Sequence, residues 1–232
     1  MTPAFSDAET CRALTDRLAH VRWIAGGTGA GKSTLTRLLA DRHDVAVYEG
    51  DRAEHAWLER CTPQHHPRLA GMRGLPPGAM WHDRTPDQVF RAMPSLHGEM
   101  VGFIVDDLLA MPEERVILVD YFGILPGHLA PLLRRPGQAV FLLPTPEFRE
   151  NALASRYADP ARARANWGNE DLADASAKRL ARDALWDQEV RRQAPLHGLD
   201  TIVIDGTVPV PALADDMATR FGLRGRQRTP FA

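Results

Sequence analysis

The segment Gly26-Gly27-Thr28-Gly29-Ala30-Gly31-Lys32-Ser33 constrains the fold of this chain more than any other. It follows Val21–Ala25, a short apolar run that reads as a buried strand, and it precedes a helical pattern from Lys32 to about His43 with Leu35, Leu38 and Leu39 on one face. Glycines in such a loop let backbone N–H groups converge on an anion, and the helix N-terminus adds its dipole. The spacing G-x-x-x-x-G-K-[ST] places Lys32 to reach the terminal phosphates of a nucleotide and the Ser33 hydroxyl to bind Mg²⁺. The whole run through Thr34 is expected to contact the nucleotide. A chance match in a glycine-rich turn is the competing reading, and the flanking strand and helix argue against it.

The same alternation continues along the chain. An opening helix is expected from the capping-box spacing of Ser6 and Glu9 and the apolar recurrence of Ala8, Cys11, Leu14 and Leu18. Val45–Tyr48 reads as a second strand ending at Glu49-Gly50-Asp51. Arg60 to Arg84 is rich in Pro, Gly and His and reads as irregular and mobile. A long helix is expected from about Pro86 to Ala110, interrupted near Met93-Pro94. Val116–Val119, closed by Asp120, and Ala139–Leu143 read as strands separated by a helix-sized segment with Leu129, Leu132 and Leu133. Asn169 to Gln193 reads as helix, Thr201–Ile204 as a last strand and Val210 to Phe221 as a last helix. Strands alternating with helices imply a parallel sheet covered on both faces. The expected fold is therefore a single α/β domain over 1–232: a three-layer P-loop fold on a five-stranded parallel sheet, with a helical insertion at about 52–110 and a lid at about 144–170.

Composition limits the partners. With 232 residues, 44% hydrophobic and 25% charged, the chain is long enough for a full core. A formal charge of -2 gives no general attraction to nucleic acid or anionic lipid, although Arg224, Arg226 and Arg228 make the tail at 223–232 locally basic. Cys11 and Cys61 lie far apart and suggest neither a disulfide framework nor a zinc site. His65-His66 with His82 and His97 lack an i, i+4 pair, so no transition-metal site is expected. No run approaches a membrane span and no apolar signal core opens the chain, so a cytoplasmic protein without membrane partner is expected.

A phosphate loop alone does not name a reaction. No Asn-Lys-x-Asp guanine motif and no Leu-Ser-Gly-Gly transporter signature occurs, and Asp120 is followed by Tyr121 rather than by Glu. What remains resembles the small-molecule and nucleotide kinase group, which includes adenylate, shikimate and gluconate kinases and chloramphenicol phosphotransferase. Val116-Ile-Leu-Val-Asp120 looks like the strand before the Asp-Gly-Phe-Pro-Arg motif of adenylate kinase, but continues here as Tyr121-Phe122-Gly123. Phe141 to Arg149, with Arg156 beyond, is similar to the fourth strand and lid start of these kinases. Lys178-Arg179-Leu180 looks like the Lys-Arg-Leu after that lid, and Asp205-Gly206-Thr207 like the loop beside adenine. The resemblance implies ATP and Mg²⁺ as cofactors and a small-molecule acceptor.

Candidate residues beyond the loop follow, each with a plainer alternative. Asp120 ends an apolar strand, where it could hold Mg²⁺ or merely form a turn. Arg149, Arg156, Arg162 and Arg164 lie in the expected lid; a solvated role is the plainer reading of any one of them, and Arg156 and Arg179 are the preferred two as phosphate ligands. Asp51 follows the second strand, where shikimate and chloramphenicol kinases place an aspartate beside the acceptor hydroxyl; it could deprotonate that hydroxyl or cap a helix. Arg52 could clamp an anionic substrate or face water, and Trp57, Trp81 and Trp167 could stack on a ring or pack in the core. The leading expectation is an ATP-dependent kinase acting on a hydroxyl or phosphate of a small molecule. The alternatives are a nucleotide-dependent switch or assembly ATPase with a protein partner, and a polynucleotide kinase. Acceptor identity, ATP versus GTP and oligomeric state stay open.

Overall fold

A computed structural model describes residues 8–225, and side chains from residue 12 onward. Ser6, Arg226 and Arg228 therefore lie outside the described residues, as does the side chain of Cys11. In chain order the elements are α1 Ala8–Arg17, β1 Val21–Gly26, α2 Lys32–Arg42, β2 Val45–Glu49, α3 Gly50–Arg60, α4 Pro67–Met72, α5 Pro86–Ala92, α6 Val101–Leu109, β3 Val116–Asp120, α7 Pro126–Leu129, β4 Ala139–Pro144, α8 Pro146–Arg156, α9 Pro160–Trp167, α10 Leu172–Gln193, β5 Asp200–Ile204 and α11 Val210–Phe221.

The five strands form one sheet in the order β2-β3-β1-β4-β5, and every pairing is parallel. Strand alternation sends neighbouring side chains to opposite faces. Trp23, Val119, Phe141 and Leu143 pack in one apolar core with Trp57, Ile104 and Trp186 from α3, α6 and α10. Ile24, Leu118, Val140 and Leu142 pack in a second core with Leu35 and Leu39 of α2 and Met217 and Phe221 of α11. Helices thus cover both faces, which is why β1, β3 and β4 are apolar runs rather than alternating ones.

Two expectations of regular structure change. Residues 60–84 contain α4, and Leu69 and Trp81 are buried there, so the segment is anchored by core contacts despite its Pro and Gly. The stretch between β3 and β4 is not one helix: α7 stops after four residues and a 3₁₀ turn, Ala130–Leu132, follows it. Pro131 removes a backbone donor, and the sheet is covered there by leucines from short turns. The interruption near Met93-Pro94 is present, with a 3₁₀ turn Pro94–His97 between α5 and α6.

The expected lid is two helices, each anchored. Leu153 of α8 is buried, and Ala163 and Trp167 of α9 join Trp81, Val89 and Ala175 in a third small core. Backbone passes backbone closely here, because a Cβ on Gly78 would overlap the Trp167 carbonyl and one on Gly168 the Pro77 carbonyl. Insertion and lid therefore meet over the C-terminal ends of the strands.

At the end of β1 the chain needs glycine: Gly26 has φ +111°, and a Cβ there would run into the Leu142 backbone on β4. Gly26→Ala is expected to cost about 1–3 kcal/mol, read as a lowered urea midpoint. Gly137→Ala, with no heavy atom near the added Cβ, should leave the midpoint within about 0.5 kcal/mol of the parent.

A candidate phosphate-transfer site

The loop between β1 and α2 is shaped by its glycines. Gly29 and Gly31 take positive φ, 79° and 78°, and Gly31 is the N-cap of α2 without a side-chain cap, so the first N–H groups of the helix are left for another acceptor. Gly27 donates its N–H to the Leu142 carbonyl at 2.8 Å, tying the loop to β4. Lys32 bends back over the loop and donates to the Gly27 carbonyl at 2.8 Å and the Gly26 carbonyl at 3.4 Å. Burial pushes its ammonium pKa down, Asp120 and Asp51 hold it up, and Arg156 pushes it down further. A buried ammonium resting on carbonyls is a cation whose natural partner, an anion in the loop, would repay its desolvation.

Asp120 lies where β3 pairs with both neighbours, opposite Ile24 of β1 and Glu49 of β2. Burial raises its carboxyl pKa against the pull of the Ser33 hydroxyl and of Lys32. Ser33 and Asp120 are thus side by side, an all-oxygen pair suited to a hard cation such as Mg²⁺. Among the described residues no group of three or more His, Cys, Asp or Glu is set to hold a metal. A Mg²⁺ bound here would draw its other ligands from phosphate and water, as that ion commonly does.

A cavity of about 410 Å³ opens from the loop, beginning at Thr28 and running over Ser33 and Thr34. Asp51, Asp120, Arg156 and Arg179 all line it, although they come from α3, β3, α8 and α10. Gly206 and Thr207 are not brought into it: both are exposed, Gly206 faces Phe148, and the loop is held by Asp205 accepting from the Thr207 hydroxyl at 2.7 Å.

The lid arginines divide. Arg162 and Arg164 are exposed on α9 and do not line the cavity. Arg149 is buried beneath the loop, donates Nε to the Thr28 carbonyl at 3.2 Å and pairs with buried Asp187 of α10. Burial pushes the Asp187 carboxyl up and Arg149 pulls it down. A Cβ on Gly27 would press on both members of that pair, so the second glycine of the loop makes room for the brace below it. Arg156 closes the last turn of α8, exposed at the cavity mouth. Arg179 reaches the cavity from α10 while donating to the Tyr157 hydroxyl at 2.8 Å and Asn166 Oδ1 at 3.2 Å. Arg52 points away and pairs with Glu49 at 2.8 Å. Trp57 and Trp167 are core residues, whereas buried Trp81 also shows a face to the cavity.

Several lining residues escaped the sequence reading. Arg182, buried one turn beyond Arg179, lies over the rings of Trp81 and Phe122 at 5.3 and 5.6 Å. Its Nε is 2.7 Å from Asp183 Oδ1, yet misaligned, and both Asp183 oxygens are without a hydrogen-bond partner among the described residues. Glu54, half-buried one turn after Asp51, accepts from the Tyr121 hydroxyl at 2.8 Å. Burial pushes its pKa up to about 7, against the Tyr121 hydrogen bond and with the charge of Asp51. Met72, Met80, Met93 and Met100 line the cavity as well. The i, i+3 spacing of Asp51 and Glu54 was the available signal, but it points to one face only once α3 is known to start at Gly50.

No model of a known protein family matches the chain, and no curated protein matches it.

Removing one member of a buried ion pair strands the other charge. Arg149→Ala is therefore expected to cost about 3–5 kcal/mol in urea denaturation, while the paired change Arg149→Met with Asp187→Leu should recover most of it. A single-mutant loss below about 1 kcal/mol would show that the pair does not brace the loop.

Proposed function

We propose that this chain is an ATP-dependent phosphotransferase that moves the γ-phosphoryl group of MgATP to a hydroxyl of a small molecule. The observation that carries the reading is the continuity of one cavity. The glycine loop with Lys32, Ser33 and Asp120, three arginines, four methionines and the α3 carboxylates Asp51 and Glu54 all line it. A switch that only hydrolyses nucleotide needs a positioned water, not an acceptor-sized recess next to the γ-phosphate position. That favours transfer over the switch reading.

The reaction asks mainly for positioning and for positive potential where charge spreads over the transferring group. Lys32 would leave its carbonyl partners for the terminal phosphates, and Arg156, Arg179 and Arg182 surround the cavity as bidentate-capable donors that stay charged. Bound Mg²⁺ would neutralise phosphate oxygens beside Ser33 and Asp120. Asp51, on the first turn of α3 and lining the cavity, would orient the attacking hydroxyl. No helix among the described residues is long and apolar enough to cross a membrane.

Incubation with MgATP and a metabolite library, read by mass spectrometry, should show an acceptor gaining one phosphoryl group. ATP loss without any phosphorylated acceptor would favour the switch. Lys32→Ala should lower turnover by about 10²-fold or more with the melting temperature kept, since one preorganised donor to a developing anion is worth that much. Normal turnover in that variant would end the assignment. Ser33→Ala should weaken binding of nucleotide with Mg²⁺ much more than without it, measured by equilibrium dialysis in each condition.

A further inference from the structure

We infer that the acceptor is an alcohol with an apolar, non-anionic body, and that Glu54, held by Tyr121, accepts the proton of its attacking hydroxyl. The inference rests on the phosphotransferase reading and assigns the acceptor part of the same cavity.

Met72, Met80, Met93 and Met100 line the cavity together with Trp81 and Phe122. Methionine side chains are unbranched and polarisable and adapt to apolar shapes. Two acids of α3, Asp51 and Glu54, line the cavity. Arg182, which donates to Met93 Sδ at 3.3 Å, has buried Asp183 at 2.7 Å and the ring faces of Trp81 and Phe122 over it. A carboxylate or phosphate on the acceptor body would lose its hydration against thioethers and the Glu54 carboxylate, which the desolvation of a charge makes unfavourable.

Position separates the two acids. The charge of Asp51 acts on Lys32 and Asp120, so Asp51 lies toward the phosphate loop. Glu54 is one helical turn further along α3, and its hydrogen-bond partner is Tyr121. Tyr121 is itself immobile: it is fully buried, a Cβ on Gly50 would overlap its ring, and one on Gly123 would overlap its hydroxyl. The dyad is thus built into β3 and α3 and leaves one Glu54 oxygen for a ligand. Of the other groups around α3, Tyr48 of β2, Trp57 and Arg60 bind Asp107 of α6, Glu49 binds Arg52, Arg68 of α4 binds Glu99, and His55 and Glu59 are exposed to solvent. A carboxylate with a pKa near 7 is well matched to accept a proton at neutral pH.

In the step, the acceptor oxygen forms a bond to Pγ, and the bond from Pγ to the β–γ bridging oxygen breaks with its electron pair leaving on ADP. The hydroxyl proton passes to Glu54 and is lost to solvent after product release.

The test uses the full chain with MgATP and three probe acceptors: 3-phenyl-1,2-propanediol, 3-phenyllactate and a nucleoside monophosphate. Phosphoryl transfer is expected to the diol at a kcat/KM at least about tenfold above the other two. Glu54→Gln keeps an acceptor for the Tyr121 hydroxyl, and should lower kcat by about 10²-fold or more while nucleotide affinity, by equilibrium dialysis, changes less than about twofold. Tyr121→Phe removes the hydrogen bond that favours the Glu54 anion, so the acidic limb of kcat/KM should move to higher pH. Transfer to the hydroxy acid or the nucleotide in preference, transfer to none of the three, or a larger loss in Asp51→Asn than in Glu54→Gln, overturns the inference while nucleotide binding stands. Absence of nucleotide binding in the parent removes the phosphotransferase reading and this inference together.

Discussion

The backbone of the glycine loop lies directly on its supports, and the rest of the site depends on how little room that leaves. Gly26 has no space for a Cβ against β4, and Gly27 none against the Arg149–Asp187 pair. The N–H of Gly27 is bound to β4 and the Thr28 carbonyl to Arg149. A loop fixed from below in this way presents its free N–H groups upward without reorganising, which is what makes preorganised donors effective toward a developing anion.

That arrangement is also the reason α10 matters to a loop more than a hundred residues before it. One face of this helix bears Asp187 for the brace, Trp186 for the core, and Arg179 and Arg182 for the cavity. A buried ion pair is expensive relative to an apolar pair of similar volume, so its use here is better read as positioning than as a source of stability. One buried carboxylate, Asp183, serves both Arg179 and Arg182, at 3.7 and 2.7 Å. Buried charges so arranged need a rigid surround, which the two apolar cores of the sheet and the small third core provide.

The cavity lining joins groups of opposite chemistry from different elements: backbone donors and cations from the loop, α2, α8 and α10, and methionines with the acids of α3. Desolvation therefore acts in opposite senses, lowering the Lys32 pKa and raising that of Glu54. The segments around Gly78 and Gly168 pack backbone against backbone.

Much of this was legible from the residues alone wherever the cause is local. Short hydrophobic runs of strand length gave β1 to β4, helical spacing gave α2, α10 and α11, and the loop spacing placed Lys32 and Ser33, because each depends on neighbours within a turn or two. Asp51, Asp120, Arg156 and Arg179 could be nominated one by one, but their meeting in one cavity is a property of strand order and of α8 and α10 crossing the strand ends. The fate of Arg149 turned on Asp187, the position of Glu54 on where α3 begins, and the matching of Arg182 on aromatic rings far away in the chain. A charge's role follows from its partners and its burial, and for these residues both come from segments that only the folded chain brings within reach.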